Sequence, residues 1–124
     1  MPLFERLAGV DFAYLTTTGR HSGKPHRIEI WFAIDGPRLY LLSGGGGAAD
    51  WVKNIRKRSA VRIRINSQST RAKARILRPN TKEDLAAREL LDAKYMDWRP
   101  GKKLSSWARG ALPVAIDLTR RRRA

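Results

Sequence analysis

The chain has 124 residues, of which 42% are hydrophobic and none is cysteine. That length is typical of one domain with a packed core, and the lack of cysteine excludes disulfides and thiolate metal sites. The formal net charge of +15 favours anionic partners such as nucleic acid, an anionic membrane surface or an acidic small molecule. With only two histidines and 11 acidic residues, we assign no metal ligands.

No apolar run reaches the length of a membrane span, and the N-terminus lacks the basic-then-apolar layout of a signal peptide. A cytoplasmic protein without a transmembrane segment is therefore expected. We predict a single domain over residues 1–124, in which residues 119–124 form a basic flexible tail containing four consecutive arginines.

Six strands are predicted in chain order, because β-branched and aromatic residues recur between turns rich in glycine, proline and serine. A short helix over residues 2–10 precedes them, and further helices are expected over residues 49–58 and 81–95. Thr81 is the predicted N-cap of the last helix, and Leu85, Ala86, Leu90 and Ala93 are its predicted inner stripe. The strands cover residues 11–18, 26–34, 38–42, 60–66, 70–77 and 111–118.

The short connections between strands favour antiparallel pairing, and the small number of helices favours a mainly β fold with helices at its edges. A small closed or nearly closed antiparallel barrel accounts for this pattern. Residues 67–69 are predicted to turn the chain between the fourth and fifth strands.

Four consecutive glycines, residues 44–47, follow the third strand and lead into the helix at residues 49–58. Glycine lets a ligand approach the backbone closely, and the free N–H groups of a helix N-terminus attract phosphate or carboxylate. The stretch therefore predicts an anion site, and a flexible hairpin loop is the alternative. It matches neither the P-loop nor the dinucleotide-binding fingerprint.

One face of the predicted hairpin over residues 60–77 is strongly basic, since Arg62, Arg64, Arg71, Lys73 and Arg75 alternate with apolar residues. This face is either a solvated outer surface of the barrel or a track for a phosphate backbone. The two strands carry no aromatic residue for base stacking. We therefore expect no specific nucleic-acid partner.

Four segments in this order, residues 14–25 (YLTTTGRHSGKP), 35–36, 40–47 (YLLSGGGG) and 50–55 (DWVKNI), resemble the deazaflavin-dependent nitroreductase family. That family belongs to the split β-barrel flavin and deazaflavin oxidoreductases, and the resemblance spans about residues 12–118. It implies a six-stranded antiparallel split β-barrel of the FMN-binding type. It also implies hydride transfer from reduced coenzyme F420, an 8-hydroxy-5-deazaflavin with a phosphodiester and a glutamate tail, to a quinone, nitroaromatic or activated enone.

The resemblance also implies site residues. Arg20, His21 and Ser22 would contact the anionic side chain of the coenzyme, and residues 26–31 would flank it, through His26, Arg27, Ile28, Ile30 and Trp31. The deazaflavin or its ribityl chain would lie against Leu42, Ser43, Gly44 and Gly45, and the other side would be held by Asp50, Trp51 and Asn54. On the substrate side, Tyr95 and Trp98 are the candidates, with Tyr95 as a possible proton donor.

Each of these residues also has a structural interpretation. Arg20 could solvate a turn, Trp51 could be core, and Asp50 could complement the helix N-terminus. His21 replaces the lysine of most relatives, which weakens anion binding or makes it dependent on pH.

Two other functions stay open at this point: FMN bound in the same groove, and a non-enzymatic barrel that binds nucleic acid through its phosphates. A homodimer with a small-molecule substrate is expected.

Overall fold

The structure of the protein, a computed structural model, describes residues 6–118. Within that range seven strands form one antiparallel sheet. They are β1 Ala13–Thr18, β2 Pro25–Ile30, β3 Ala33–Asp35, β4 Arg38–Ser43, β5 Ala60–Ile65, β6 Gln68–Ile76 and β7 Leu112–Leu118. The helices are α1 Asp50–Lys57, α2 Lys82–Tyr95 and α3 Ser106–Gly110, and a 3-10 turn covers Gly46–Ala48. The predicted tail, residues 119–124, and the start of the predicted first helix lie outside the described residues.

The spatial order of the strands is β2-β1-β5-β6-β7-β4-β3. Consecutive strands β2 and β3 therefore lie at opposite edges of the sheet, although only Trp31 and Phe32 separate them. Two residues can join the two edges only if the sheet curls until these edges approach each other. This curled antiparallel sheet confirms the predicted mainly β split barrel.

The predicted strand at residues 26–34 is two strands, which raises the number from the predicted six to seven. The interruption occurs at Phe32, whose backbone groups bind α2 instead of a neighbouring strand. Its N–H donates to the Tyr95 hydroxyl at 3.1 Å, and its carbonyl accepts from Lys94 Nζ at 3.0 Å. Because α2 satisfies these groups, the chain can leave one edge of the sheet and start the other.

The β5–β6 hairpin alternates buried and exposed residues as predicted. Its turn consists of Asn66 and Ser67, so the predicted turn of residues 67–69 started one residue late and ended two residues late. Asn66 adopts a left-handed backbone with φ of 53°, which asparagine tolerates well. In the resulting register Arg62 lies directly opposite Arg71 on the outer face.

Two apolar clusters form the core. The first fills the barrel with residues such as Leu15, Ile63 and Ile116, and the second lies between the sheet and helices α2 and α3. On α2, Ala87 and Leu91 are buried in this second cluster, and Leu90 and Tyr95 are partly buried against it.

The predicted inner stripe of α2 was wrong at its two ends, because Leu85 is 49% exposed and Ala93 is also exposed. Two buried aspartates lie on the inner side instead. Asp92 accepts hydrogen bonds from the N–H and hydroxyl of Ser105, and Asp84 accepts from Arg88. The Thr81 N-cap is confirmed by the Asp84 N–H, which donates to its hydroxyl at 3.1 Å.

Candidate functional site

A cavity of about 480 Å³ lies between the β1–β2 turn and helix α1. Two segments that are about 30 residues apart in sequence form its walls. One is the end of β1 with the turn and the start of β2, and the other is the first half of α1. Its lining comprises Thr17, Gly19, Arg20, His21, Ser22, His26, Arg27, Ile28, Asp50, Trp51 and Asn54.

The β1–β2 turn is compact. The Gly19 N–H donates to the Lys24 carbonyl at 2.8 Å, and the Gly23 N–H donates to the Gly19 carbonyl at 2.9 Å. A Cβ atom at Gly19 would lie 2.6 Å from both His26 Nε2 and Ser22 Oγ. Glycine at this position therefore lets the His26 and Ser22 side chains fold over the backbone at the cavity wall.

Asn54 connects helix α1 to the turn and to β1. Its side-chain oxygen accepts from the Arg20 N–H at 3.1 Å and from Arg20 Nη1 at 2.9 Å, and its amide nitrogen donates to the Thr17 hydroxyl at 3.1 Å. Asn54 and Thr17 are both buried. A buried amide satisfied at both ends fixes the distance between the two walls of the cavity.

The guanidinium of Arg20 is already engaged within the protein. Nη2 forms an ion pair with Asp50 Oδ1 at 3.1 Å, and Lys57 Nζ donates to the Arg20 carbonyl at 3.1 Å. The Asp50 side chain is 86% exposed, so solvent screens this pair. An incoming anion can replace Asp50 as the partner of Arg20 at small cost.

The remaining lining separates an apolar part from a basic part. Ile28 and Trp51 present apolar surface, and Trp51 also packs against the barrel core. Trp51 therefore contacts the core on one side and lines the cavity on the other. His21 and Arg27 lie on the exposed side of the same cavity. The arrangement suits a flat, largely apolar ring system that carries an anionic chain.

The family model for F420H(2)-dependent quinone reductase matches residues 2–118 of the chain. The chain belongs to this family. The family resemblance seen in the sequence is thereby confirmed, and the assignment supports an F420-dependent oxidoreductase.

Solved structures share the fold of this family member. A conserved hypothetical protein from Mycobacterium tuberculosis superposes with a TM-score of 0.74 at 16% identity, over 97% of this chain and 82% of that chain. A protein described as an F420 reductase gives 0.64 at 18% identity, over 97% and 96%. An FAD-binding protein from Mesorhizobium loti gives 0.66 at 15%, over 97% and 91%. At these identities the likeness concerns the fold.

Six residues predicted for the coenzyme site do not line the cavity: Ile30, Trp31, Leu42, Ser43, Gly44 and Gly45. Leu42 and Ser43 are buried at the end of β4, and the Ser43 hydroxyl donates to the Gly46 carbonyl at 2.9 Å. This bond closes the glycine loop on itself and places Gly46 at φ of 61°. The loop is thus an ordered turn leading to α1, and its contact with a coenzyme stays a prediction.

Neither substrate-side candidate lines the cavity, and Tyr95 belongs to an aromatic cluster with Trp31 and Trp107. Tyr95 stacks on Trp31 with ring centroids 4.3 Å apart, and Trp107 packs edge-on against Trp31 at 5.4 Å. Trp98 donates its indole N–H to the Lys102 carbonyl at 2.8 Å. The structure gives both Tyr95 and Trp98 structural contacts, and their role beside a substrate stays a prediction.

Burial shifts the pKa values of Tyr95 and its neighbour Lys94. It lowers the pKa of Lys94 to about 8 and raises the pKa of Tyr95 above its ordinary value. Lys94 Nζ donates to two backbone carbonyls and lies 3.7 Å from the centroid of the Phe32 ring. Through these hydrogen bonds Lys94 and Tyr95 attach α2 to the segment that connects β2 and β3.

Two lining residues were missed in the sequence, Thr17 and Gly19. The alternation of β1 indicates that Thr17 is buried, since Thr17 shares the inward face with Ala13 and Leu15. A hydroxyl on a buried face requires a partner, and Asn54 provides it. Gly19 directly follows the strand, where a close approach of side chains is the physical reason for glycine.

No helix within residues 6–118 has the length and apolar character needed to span a membrane.

Proposed function

We propose that the protein transfers hydride from reduced coenzyme F420 to an electron-poor acceptor such as a quinone, a nitroaromatic or an activated enone. The observation that carries the proposal is the cavity itself. It joins the two most distinctive sequence motifs, residues 17–22 and 50–54, around one space of about 480 Å³. The family assignment supplies the class of coenzyme.

The residues present fit such a coenzyme by their chemistry. Ile28 and Trp51 offer the apolar surface that a tricyclic ring needs, Arg27 offers positive charge for a phosphodiester and a carboxylate tail, and the His21 ring offers an N–H donor. Arg20 joins them when the anion displaces Asp50. Among the described residues that line the cavity, Asp50 is the one acidic residue, so little negative charge opposes a polyanion there.

When bound, the reduced coenzyme supplies the hydride from its C5 position, so the protein needs no nucleophile or acid–base pair of its own. The apolar walls exclude water from the ring, and the Asn54–Thr17 bond keeps the walls at a fixed separation. Proximity and orientation of the acceptor then account for the protein's part of the rate enhancement.

The decisive experiment is a fluorescence titration of the purified protein with coenzyme F420 and, separately, with FMN at physiological salt. We expect binding of the deazaflavin and a loss of at least tenfold in affinity for Trp51→Ala, because the variant removes one apolar wall. The matched control is Trp98→Ala, which removes an indole outside the cavity. Equal losses in both variants would argue against the cavity as the site, and binding of FMN alone would assign the flavin as cofactor.

The acceptor is identified by following reoxidation of the reduced coenzyme with a quinone, a nitroaromatic and an activated enone in parallel. We expect turnover with at least one of them that disappears in Trp51→Ala at subsaturating coenzyme. Binding without turnover of any acceptor class would leave a coenzyme-binding protein and overturn the reductase proposal.

A homodimer is part of the same proposal, as is a cytoplasmic location. Support for the dimer comes from exposed apolar side chains at one end of the β1–β2 ladder, where Phe12 is 37% and Trp31 43% exposed. Phe12 precedes Ala13 and Trp31 follows Ile30, and Ala13 pairs with Ile30, so both aromatic residues lie just beyond the same end of this ladder. Light scattering of the wild type and of Phe12→Ser tests this, with a shift toward monomer expected for the variant. A monomeric wild type would refute it.

A further inference from the structure

A second cavity, of about 420 Å³, lies on the outer face of strands β1, β2 and β5. Three guanidinium groups line it, from Arg27, Arg62 and Arg64. The strand register explains their convergence. Thr16 of β1 pairs with Arg27 on one side and with Arg62 on the other, and Arg64 follows two residues later on the same face of β5. Since adjacent strands are about 4.8 Å apart, the backbones of Arg27 and Arg62 lie roughly 10 Å apart.

Among the residues that the structure describes, no carboxylate lies within 4 Å of these three guanidiniums. Within residues 6–118, all ion pairs of 4 Å or less involve other arginines. Strands β1, β5 and β6 contain no acidic residue. β2 contains Glu29, which lies on the same face in the cross-strand row of Tyr14 and Arg64 but forms no ion pair of 4 Å or less within residues 6–118 and does not line the cavity. By contrast, Arg75 on the same hairpin pairs with Glu83 and Asp117, so it does not belong to the free basic face that the sequence predicted.

The arrangement costs stability as it stands. Arg62 lies directly opposite Arg71, and like charges in that position destabilise a sheet. Inside the cavity, a multivalent anion would offset the mutual repulsion of Arg27, Arg62 and Arg64. Hydroxyl groups complete the lining, from Tyr14, Thr16, Ser67 and Ser69. Arg64 is already oriented, because its Nε donates to the Asn66 carbonyl at 2.8 Å.

We infer that this outer cavity binds a small ligand carrying a phosphate monoester or diphosphate, at a site separate from the proposed coenzyme cavity. Guanidiniums bind phosphate oxygens in a bidentate manner, and hydroxyls supply further donors. The volume suits a small molecule rather than a flat membrane or duplex surface. Among the described lining residues Tyr14 is the one with an aromatic ring, and the Arg27 guanidinium lies 4.7 Å from its centroid, so this face of the ring is not open to a stacking base. Arg27 is the residue shared with the first cavity.

Calorimetric titration with inorganic pyrophosphate at physiological salt tests the inference. The test variant is Arg62→Gln with Arg64→Gln. Its matched control is Arg71→Gln with Lys73→Gln, which removes the same charge from the same sheet face but outside the cavity. We expect at least a tenfold loss of pyrophosphate affinity in the test variant and less than a twofold change in the control. Arg20→Gln, in the first cavity, should also leave the affinity within twofold.

Equal weakening in the two double variants would show diffuse attraction to a protein of charge +15 and overturn the site. Pyrophosphate affinity equal to that of the wild type in both double variants would also overturn the site. Thermal unfolding verifies that each variant is folded, and we expect neither to lose stability because each removes one side of the Arg62–Arg71 repulsion.

Two further measurements separate this site from other partners. Coenzyme affinity should be unchanged in Arg62→Gln with Arg64→Gln, and a fall would mean that the cavity is an extension of the coenzyme site. Tighter binding of vesicles rich in phosphatidylglycerol, or of an oligonucleotide, than of pyrophosphate at equal phosphate concentration would instead assign a docking face. Lower coenzyme affinity in the double variant, or tighter binding of vesicles or oligonucleotide, would each refute a separate small-ligand site. Both outcomes are independent of whether the proposed reductase activity is found.

Discussion

The hydroxyl of Tyr95 lies among backbone groups that the interruption between β2 and β3 leaves without strand partners. The Phe32 N–H donates to it at 3.1 Å, and the hydroxyl lies 2.6 Å from the Asp11 carbonyl and 3.1 Å from that of Phe32. A single phenol proton held this way is poorly available for transfer, and burial raises the pKa of Tyr95 further. The geometry therefore favours a structural role over the proton-donor role considered from the sequence.

At this scale we predict that Tyr95→Phe lowers the free energy of unfolding by about 1–3 kcal/mol, because the partly buried Phe32 N–H loses its acceptor. Chemical denaturation measures this, with Trp98→Phe as the control for losing a more exposed aromatic donor. We expect coenzyme reoxidation rates near those of the wild type. A large fall in turnover with unchanged stability would instead assign the hydroxyl to proton transfer.

Helix α1 is the element that gives the candidate site its shape. Asn54 is buried in its middle, and its side chain bonds both β1 and the β1–β2 turn. Asparagine is a mediocre helix former, so its place inside a helix favours a polar role for the side chain. Its partners could not be predicted, since Thr17 and Arg20 lie 37 and 34 residues away.

We therefore predict that Asn54→Ala destabilises the protein by roughly 1–3 kcal/mol, since it leaves the buried Thr17 hydroxyl and the Arg20 N–H without a partner. It should also weaken coenzyme binding, because the turn is no longer held against α1. Lys53→Ala, an exposed neighbour on the same helix, is the control and should leave both unchanged. Unfolding curves and coenzyme titrations of the two variants provide the measurement. Coenzyme affinity equal to the wild type in a folded Asn54→Ala protein would contradict the prediction.

For the molecule as a whole, local sequence patterns predicted the β-barrel. The break between β2 and β3 and the ion pairs depend on contacts between residues far apart in the sequence. Strand β5 alternates strictly between exposed and buried residues and β6 does so over most of its length, so the sequence locates this hairpin, although β6 begins two residues before its predicted start. The interruption at Phe32 depends on Tyr95 and Lys94, which follow more than 60 residues later. Similarly, Arg75 looks free in the sequence, but the fold brings Asp117 to it from 42 residues away. Ion pairs between residues of different strands and helices therefore could not be predicted from the sequence.

The same network ties α2 to the sheet and predicts how acid affects the whole fold. Glu83 accepts from both terminal nitrogens of Arg75 at 2.8 Å and from the Tyr40 hydroxyl at 2.8 Å, and these bonds lower the pKa of Glu83 to about 2. A carboxyl whose pKa is lowered by folding stabilises the protein above its ordinary pKa near 4.5, and this contribution disappears as the pH falls toward 2. Glu83→Gln should thus lower the unfolding midpoint clearly at pH 7, and the gap to the wild type should narrow at pH 3 and below. Glu89→Gln on the same helix is the control, for which we expect little change at either pH. An equal gap at both pH values would show that packing, rather than the charge of Glu83, stabilises the junction.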